Sequence, residues 1–481
     1  MKFNKLSALC ALACVAMSGQ AMAATALSAA DKAIVDDANT NSRVVFISGA
    51  SAVQKGFTGI VAGLFTGTPV RFANTSASSK DFEAVAGKLA VAAGGWAANS
   101  NVIVIYRVKG GSVFGVDPVA RNTLIESLNV TSGASDCTTG SGTTAAPYVC
   151  TTTLASRAPD AGVSDVAPAL FDGLYNTEGE TAAPALTPAE LALLTPTPIY
   201  GLAFGVPVTS NVPLVNLNKS VISAIMTGNI GTWDQVDASL PADDILICRR
   251  VPGSGTQAVN NMYFGNYPCD TSGAVSNVPA DRDASAAWDN ASNTYTVGAN
   301  TGGLVVIENS TSGDVRNCLD KAVTGGTYTT KDRDGVAVTV NMTPGHKAIG
   351  VLSMDGLSSS KTTGNWQFRS LDGAGTYTWD NTAVAPVASG TGKFPTLANY
   401  VNGTWDQQGW VSFNVPARTT GSKAALLANF VAKAQDPAIL ASIADLKNVA
   451  AAIPGGAYAG AQVLRSAYVN GNQCAPLNRN Y

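Results

Sequence analysis

Short apolar runs that end in small polar residues recur along this chain. Three of them, at 44–47, 102–108 and 245–247, are rich in valine and isoleucine and lead into loops that contain glycine and serine. Apolar runs of this length, bounded by turn residues, are typical of buried strands. Because open α/β sheets hold ligands beyond the carboxyl ends of their strands, the pattern predicts an α/β fold with its ligand site in these loops.

The segment 245–260 carries the clearest candidate chemistry. Its apolar run leads into Arg249 and Arg250, then into a Gly-Ser-Gly-Thr turn and a segment that can start a helix. The free amides of a first helical turn favour an anion, and the hydroxyls of Ser254 and Thr256 would add donors. Arg250 offers two coplanar donors suited to a tetrahedral oxyanion. The alternative interpretation is a capped surface turn, because short glycine and serine motifs are common.

Two further loops and one acid fit the same kind of site. Ser51 and Ala52 follow the first apolar run and precede a predicted helix, and Ser112 closes the loop after the second run. Asp165 lies among small residues in the stretch Gly-Val-Ser-Asp-Val-Ala-Pro. The alternative interpretations are an ordinary strand-to-helix turn for the first loop and a cap for Asp165.

Hydrophobic periodicity predicts the main elements elsewhere. Amphipathic segments predict helices at 53–64, 219–226, 422–433 and 437–446, the last capped by Asp436. Strand patterns predict a hairpin at 324–343, irregular β structure at 365–416, and two strands that cross between lobes at 199–208 and 348–352.

The N-terminus has the pattern of an export signal. Two lysines precede an apolar run at 6–17, and a small-x-small cleavage site follows at 21–23. This predicts a secretory signal at 1–23, and the run is too short to span a bilayer. Cys14 could instead carry a lipid, but cleavage there would leave a very short apolar region. We expect a periplasmic or secreted protein without a transmembrane segment.

Composition narrows the function further. The chain has 481 residues and a formal net charge of −3, so nucleic acid is not an expected partner. An anion must then be held by local hydrogen bonds, and the length favours two lobes. His346 is the single histidine, and it lies in a Pro-Gly-His-Lys turn. A Ser-His-Asp triad could be built only around this ring, and we do not expect an enzyme.

Six cysteines remain after the predicted signal: Cys137, Cys150, Cys248, Cys269, Cys318 and Cys474. An even number in an exported chain predicts disulfides. The sequence does not choose among the many possible pairings, but short spacing favours Cys137 with Cys150 and Cys248 with Cys269, which leaves Cys318 for Cys474. The chain has no C-x-x-C pair, so neither a metal site nor a cofactor is expected.

In their order along the chain, these motifs resemble the periplasmic phosphate-binding proteins of high-affinity phosphate ABC transporters. The resemblance rests on SGAS near the mature N-terminus, GVSDVAP, the run from Ile199 through TGNIGTWDQV, RRVPGSGT, TSGDV and HKAIGVLSMDG. It covers most of the chain and leaves insertions without a counterpart at 117–160, 271–302, 324–342 and 365–415.

The resemblance implies a type II periplasmic binding protein fold, in which two α/β lobes enclose a ligand cleft. One lobe is expected at 24–204 and 353–481, and the other at 205–352. The ligand-binding residues that it implies are Ser51, the amide of Ala52, Ser112, Asp165, Arg250, Ser254, Gly255 and Thr256. Pro252 stands where the family often has an acid, and Ala52 replaces a common aromatic residue, so weaker phosphate discrimination than in the family is expected.

The sequence therefore predicts a monomeric exported protein that binds phosphate, or a similar tetrahedral oxyanion, for the permease of an ABC transporter. The alternative is an exported structural or adhesive protein of the extracellular matrix that reuses the binding-protein fold, with its long insertions as contact surface.

Overall fold

The computed structural model describes residues 27–76, 80–133, 136–150, 154–177, 184–270, 282, 285–299, 303–356, 364–372, 375–378, 387–390, 393, 395–455 and 460–479. The predicted signal at 1–23 lies outside these ranges. Within them, no helix is both long enough and apolar enough to cross a membrane.

Strands make up much of the described chain. In chain order they are β1 Val44–Gly49, β2 Phe65–Ala73, β3 Phe82–Leu89, β4 Asn101–Arg107, β5 Ile125–Leu128, β6 Cys137–Thr138, β7 Tyr148–Cys150, β8 Leu154–Arg157, β9 Ala161–Ser164, β10 Leu194–Gly205, β11 Pro207–Thr209, β12 Asn216–Leu217, β13 Ile245–Arg250, β14 Trp288–Asp289, β15 Thr294–Val297, β16 Val305–Asn309, β17 Gly326–Lys331, β18 Ala337–Met342, β19 Lys347–Gly350, β20 Leu352–Ser353, β21 Trp366–Phe368, β22 Ser370–Leu371, β23 Gly375–Thr378, β24 Val387–Gly390, β25 Gln408–Pro416, β26 Ala450–Ala451, β27 Ala467–Tyr468 and β28 Leu477–Asn478.

Helices cover the sheets and connect their strands. The α-helices are α1 Ala29–Thr40, α2 Gln54–Ala62, α3 Asp117–Arg121, α4 Leu174–Thr177, α5 Pro188–Leu191, α6 Lys219–Met226, α7 Gly255–Gly265, α8 Ser312–Thr324, α9 Leu397–Val401, α10 Gly421–Ala434 and α11 Pro437–Ser442. Single 3₁₀ turns occur at Ser112–Gly115, Pro168–Leu170, Trp233–Gln235, Met354–Gly356 and Val469–Gly471.

The larger sheet has eleven strands in the order β20-β10-β25-β9-β1-β4-β3-β2-β7-β6, with β26 paired to β10. At its centre β1 is parallel to both β4 and β9. Every residue of β1 is buried, as expected for a strand with both faces covered. We call the body built on this sheet the first lobe.

The smaller main sheet has five strands in the order β16-β13-β19-β11-β21. Here β13 is parallel to β16 and β19, and α8 connects β16 with the hairpin β17–β18. We call the body built on this sheet the second lobe. The predicted hairpin at 324–343 is confirmed, since β17 and β18 pair in antiparallel register.

The chain passes between the two main sheets twice, once between β10 and β11 and once between β19 and β20. β10 ends in the larger sheet at Gly205, and β11 starts in the smaller sheet at Pro207. β19 ends in the smaller sheet at Gly350, and β20 then pairs with β10. The expected two-lobe α/β architecture is confirmed. The boundaries at 204 and 352 stay a prediction. One strand beyond 352 departs from it, because β21 pairs with β11 in the smaller sheet.

The segment 365–416, predicted to be irregular β structure, contains one regular central strand. β25 pairs with β10 from Leu194↔Pro416 to Ala203↔Gln408. All but one of its residues are buried, so both faces are covered and no alternation of polar and apolar residues shows in the sequence. The predicted helices at 219–226 and 422–433 are confirmed as α6 and α10. The helix predicted at 437–446 is shorter, and Asp436 caps it.

One buried apolar cluster runs through both main sheets. It includes Ile47 and Val104 of the first lobe together with Ile247 and Ile349 of the second. A separate cluster lies under α1, on the face of the larger sheet that includes Val44 and Phe46. The two lobes therefore share a continuous core.

Three disulfides link the six cysteines. The predicted pair Cys137–Cys150 is confirmed. The other two predicted pairs are wrong, since Cys248 bonds Cys318 and Cys269 bonds Cys474. Cys248 lies in β13, and the return of the chain through α8 places Cys318 against that strand, 70 residues later. Spacing along the chain could not reveal a contact made by helix-on-sheet packing.

Candidate anion-binding site

The predicted site residues gather where strands of both main sheets end. Ser51, Ser112 and Asp165 follow the carboxyl ends of β1, β4 and β9, which are parallel neighbours. Arg250 is the last residue of β13 in the smaller sheet. This is the position at which open α/β sheets hold their ligands.

Arg250 joins the two lobes. Its side chain is only 1% exposed. Nε donates to the carbonyl oxygen of Asn309 at 3.1 Å, and Nη2 donates to that of Ser310. Nη1 donates to Ser312 Oγ at 3.1 Å and reaches Ser51 Oγ at 3.4 Å. Because Ser51 belongs to the first lobe and the other partners to the second, the guanidinium bridges the two lobes.

Arg249 points to the opposite face of β13, as alternation along a strand requires. Its Nη2 lies 3.6 Å from Glu308 Oε1, and both side chains are almost fully buried. Glu308 also pairs with Arg333 from the turn between β17 and β18. Of the two consecutive arginines, one therefore faces the other lobe and one stabilises the second lobe internally.

Four of the predicted residues pack directly on one another. Thr256 Oγ1 donates to Asp165 Oδ2 at 3.1 Å, and the backbone N–H of Asp165 points to Ser112 Oγ at 3.4 Å. A Cβ atom at Gly255 would lie 2.4 Å from Ser112 Oγ and 2.7 Å from Asp165 Cβ, so only glycine permits this approach. Within the described ranges, Asp165 Oδ1 is buried without a hydrogen-bond partner.

The environment of Asp165 changes its protonation. Burial raises the pKa of this carboxyl to about 7, while the hydrogen bond from Thr256 and the charge of Arg250 act in the opposite direction. The nearby Asp355 adds to the increase. Near neutral pH this group can therefore act as either an O–H donor or a carboxylate acceptor.

Three helices start at this junction, and only two have side-chain caps. Ser254 caps α7 by accepting from the backbone N–H of Gln257, and Thr311 with Asp314 forms a capping box on α8. Val53, at the start of α2, makes no side-chain capping bond. An anion beside Ser51 and the buried Ala52 would therefore complete the cap of α2.

A cleft of about 320 Å³ opens between the starts of α2 and α8. Ser51 and Ser312, the two hydroxyl partners of Arg250, lie in its wall. Its charged lining residues are Lys55, Lys80, Arg316, Glu83, Asp355 and Asp445. A larger cavity, of about 600 Å³, lies between Phe114 and Lys331 and contains none of the predicted site residues.

The predicted residues thus form two groups at one junction. Ser51 meets Arg250, and the other group consists of Ser112, Asp165, Gly255 and Thr256. Ser254 contributes as the cap of α7, and Ala52 is buried next to Ser51. Sequence reasoning missed Ser312, although the Thr-Ser-Gly-Asp helix start after a buried strand pointed to it. The carbonyls of Asn309 and Ser310 left no sequence signal, because any residue supplies a carbonyl.

Neither a protein-family model nor a curated protein matches this chain. Several solved structures that resemble it are described as phosphate-binding or phosphate-receptor proteins of ABC transport systems. A Clostridium perfringens protein described as a phosphate ABC transporter substrate-binding protein, solved with phosphate bound, has 12% identity over 84% of this chain and 98% of its own, at a TM-score of 0.42. PstS from Borrelia burgdorferi has 12% identity over 85% of this chain and 98% of its own, at a TM-score of 0.36. The phosphate-binding protein of Stenotrophomonas maltophilia has 13% identity over 89% of this chain and 86% of its own, at a TM-score of 0.37. Similarity this distant leaves the function to be argued from the residues of the chain itself.

Proposed function

We propose that this chain is an exported solute-binding protein that holds phosphate, or a similar tetrahedral oxyanion, between its two lobes for delivery to an ABC transporter. The observation that carries the proposal is the buried guanidinium of Arg250, which meets hydroxyls from both lobes at Ser51 and Ser312. An oxyanion bound to an arginine in this position would contact groups of both lobes and would therefore hold them together.

The route of the anion to Arg250 is short. Ser51 and Ser312 stand between the guanidinium and the cleft, and each is a small side chain with one rotatable bond to its hydroxyl. When both hydroxyls turn towards an incoming oxyanion, Nη1 becomes a third donor beside them. The uncapped start of α2 adds the positive end of its dipole.

Asp165 supplies the selectivity of the proposed site. A carboxylate can accept a hydrogen bond from an oxyanion that carries a proton, as phosphate does near pH 7. A fully ionised anion such as sulfate offers only acceptors, and two buried acceptors face to face are unfavourable. The unpaired Oδ1 of Asp165 supports this role.

Export and transport rest on further features. The predicted signal at 1–23 and the three disulfides support an oxidising compartment outside the cytoplasm. The order of motifs along the sequence supports a role as the binding component of a phosphate transporter.

Isothermal titration calorimetry of the ligand-free protein with phosphate tests the proposal. We expect saturable binding of one phosphate per chain at pH 7.5, with arsenate as a competitor. No heat up to millimolar phosphate would refute the solute-binding function.

One observation favours the alternative, an exported structural or adhesive protein. The donors of Arg250 and the Oδ2 atom of Asp165 already meet protein groups, so the junction is closed by its own side chains. A structural role would use these contacts to fix the lobes. The titration separates the two functions, since a protein that binds neither phosphate nor sulfate would support the structural one.

A further inference from the structure

The cleft beside Ser51 and Ser312 is larger than a free oxyanion needs. Its volume of about 320 Å³ lies within the range of roughly 300–1,000 Å³ typical of small-molecule sites, whereas phosphate has five heavy atoms. The space begins at the two hydroxyls that contact Arg250 and extends away from them between the lobes.

The lining of this cleft is hydrophilic. Of its fourteen lining residues, all except Val108 and Gly313 have polar side chains. Ligand pockets for apolar molecules are lined mainly by hydrophobic and aromatic side chains, and this one is not. A body with many hydroxyl groups fits such a wall better than an aromatic or aliphatic one.

The wall in the first lobe is held in place. Gln54, the first residue of α2, donates through Nε2 to Glu83 Oε2 at 2.9 Å and to the carbonyl oxygen of Lys80 at 3.0 Å. One amide therefore fixes the backbone of Lys80 and the carboxylate of Glu83 on the cleft, and the charge of Lys80 acts on that carboxylate. An ammonium group and a carboxylate side by side offer donors and an acceptor to a polyol.

The wall in the first lobe holds a second acid, Asp355, which follows β20 of the larger sheet. Asp355 lines the cleft and is almost fully buried, and the Ser353 hydroxyl donates to it. Burial raises the pKa of Asp355, whereas the charges of Lys55 and Arg316 lower it. The first lobe thus presents the acids and both lysines of the cleft, and the second lobe faces them with Arg316 and the hydroxyls of Thr311 and Ser312.

We propose that the ligand of this site is a phosphate monoester with a hydrophilic, hydroxyl-bearing body, such as a sugar phosphate. Its phosphoryl group lies at Ser51, Ser312 and Arg250, and its body fills the cleft between Lys80 and Arg316. This assignment rests on the proposed oxyanion site and adds the class of ligand.

The test compares glucose 6-phosphate with inorganic phosphate by calorimetry on the full mature protein with its disulfides intact. Two or three additional hydrogen bonds, each at the low end of the usual net contribution, correspond to roughly tenfold in affinity. We therefore expect glucose 6-phosphate to bind about tenfold more tightly than phosphate, and phenyl phosphate to have no such advantage.

Two variants locate the body of the ester. Lys80→Ala removes a cation from the wall, and Thr144→Trp places a bulky ring in the cleft from an exposed loop position. Either substitution should bring the affinity for glucose 6-phosphate to within about twofold of the affinity of the same variant for phosphate. Thr144→Trp serves as the test if Lys80→Ala does not fold.

The outcomes separate this inference from the proposed function. Phosphate binding with equal or weaker binding of the ester overturns the ester assignment and retains the oxyanion site. A tighter ester that neither variant affects also overturns it, since the body then lies outside the cleft. Binding of neither compound overturns both.

Discussion

Arg250 reaches Ser51 at 3.4 Å, across the boundary between the lobes and over 199 positions of sequence. The contact joins the last residue of β13 to the loop after β1, so the carboxyl ends of parallel strands from two different sheets meet there. A hydrogen bond of this length is weak, and an oxyanion that accepts from both groups would replace it with stronger, charge-assisted bonds.

Arg250→Ala should abolish measurable oxyanion binding. The loss of a charged donor from a desolvated site amounts to roughly 2 to 5 kcal/mol, or about 30-fold or more in affinity. The variant should also melt at a lower temperature by a few degrees, because the buried carbonyls of Asn309 and Ser310 lose their donor. Calorimetric titration and thermal unfolding measure the two effects.

Arg43→Ala is the matched control for Arg250→Ala. Arg43 precedes β1, at the edge of the sheet opposite the site, and pairs with Asp37 at 2.9 Å. Its removal should leave phosphate affinity within twofold of the unaltered protein. If Arg250→Ala binds as tightly as Arg43→Ala, the ligand does not bind at this junction.

Glu308→Gln should destabilise the second lobe without affecting the ligand. Glu308 is 1% exposed and lies between Arg249 and Arg333. Breaking a buried ion pair leaves an uncompensated charge and costs about 3 to 5 kcal/mol. Urea unfolding should show this loss, whereas phosphate affinity at a temperature where the variant is folded should stay within twofold.

The control for Glu308→Gln is Glu126→Gln, which breaks an ion pair with Lys109 that is far more exposed. Exposed pairs contribute at most about 1 kcal/mol. Equal destabilisation by the two substitutions would mean that the Glu308 pair adds no more than a surface contact.

Local patterns predicted those parts of the fold that depend on neighbouring residues. The capped helix α6, the hairpin β17–β18 and the buried strand β13 could each be predicted from periodicity and turn residues within a dozen positions. β25 was missed because a strand with both faces buried shows no alternation.

The site also contains residues that local sequence predicts and residues that it does not. Ser51 and Arg250 were predictable because each follows an apolar run that forms a strand, and Asp165 was predicted from the small residues beside it. Ser310 was not, because it acts through its carbonyl oxygen. The opposite directions of Arg249 and Arg250 follow from strand alternation, but alternation alone does not determine which of the two faces the other lobe.

The disulfide between Cys269 and Cys474 should contribute more stability than the one between Cys137 and Cys150. The sequence separations are 205 and 13 residues, for which the chain-entropy estimate gives about 5 and about 3 kcal/mol. Each pair is replaced by two serines, so that no free thiol remains, and urea unfolding compares the variants. Equal losses would show that strain or residual structure in the unfolded chain outweighs loop entropy.

Peptide mapping without reduction should also find the link between Cys248 and Cys318.

Selectivity should depend on pH through Asp165. Its pKa is raised to about 7, so the carboxyl is mostly protonated at pH 6 and mostly ionised at pH 8. At pH 6 it can donate to sulfate, and at pH 8 it repels sulfate but still accepts from the proton that phosphate carries. Sulfate affinity should therefore fall about tenfold or more between pH 6 and pH 8, and phosphate affinity should fall less.

Asp165→Asn should remove most of this pH dependence, because an amide donates to either anion at every pH in the range. At pH 8 the unaltered protein should bind phosphate at least tenfold more tightly than sulfate, since an unpaired buried acceptor costs about 1 to 3 kcal/mol. This difference should be smaller in the variant. Asp117→Asn is the control, since burial also raises the pKa of Asp117 to about 7 but this residue lines the separate, larger cavity. Titrations with sulfate at pH 6, 7 and 8 decide the matter. If Asp117→Asn flattens the sulfate profile and Asp165→Asn does not, the titrating acid lies in that cavity and Asp165 does not face the anion.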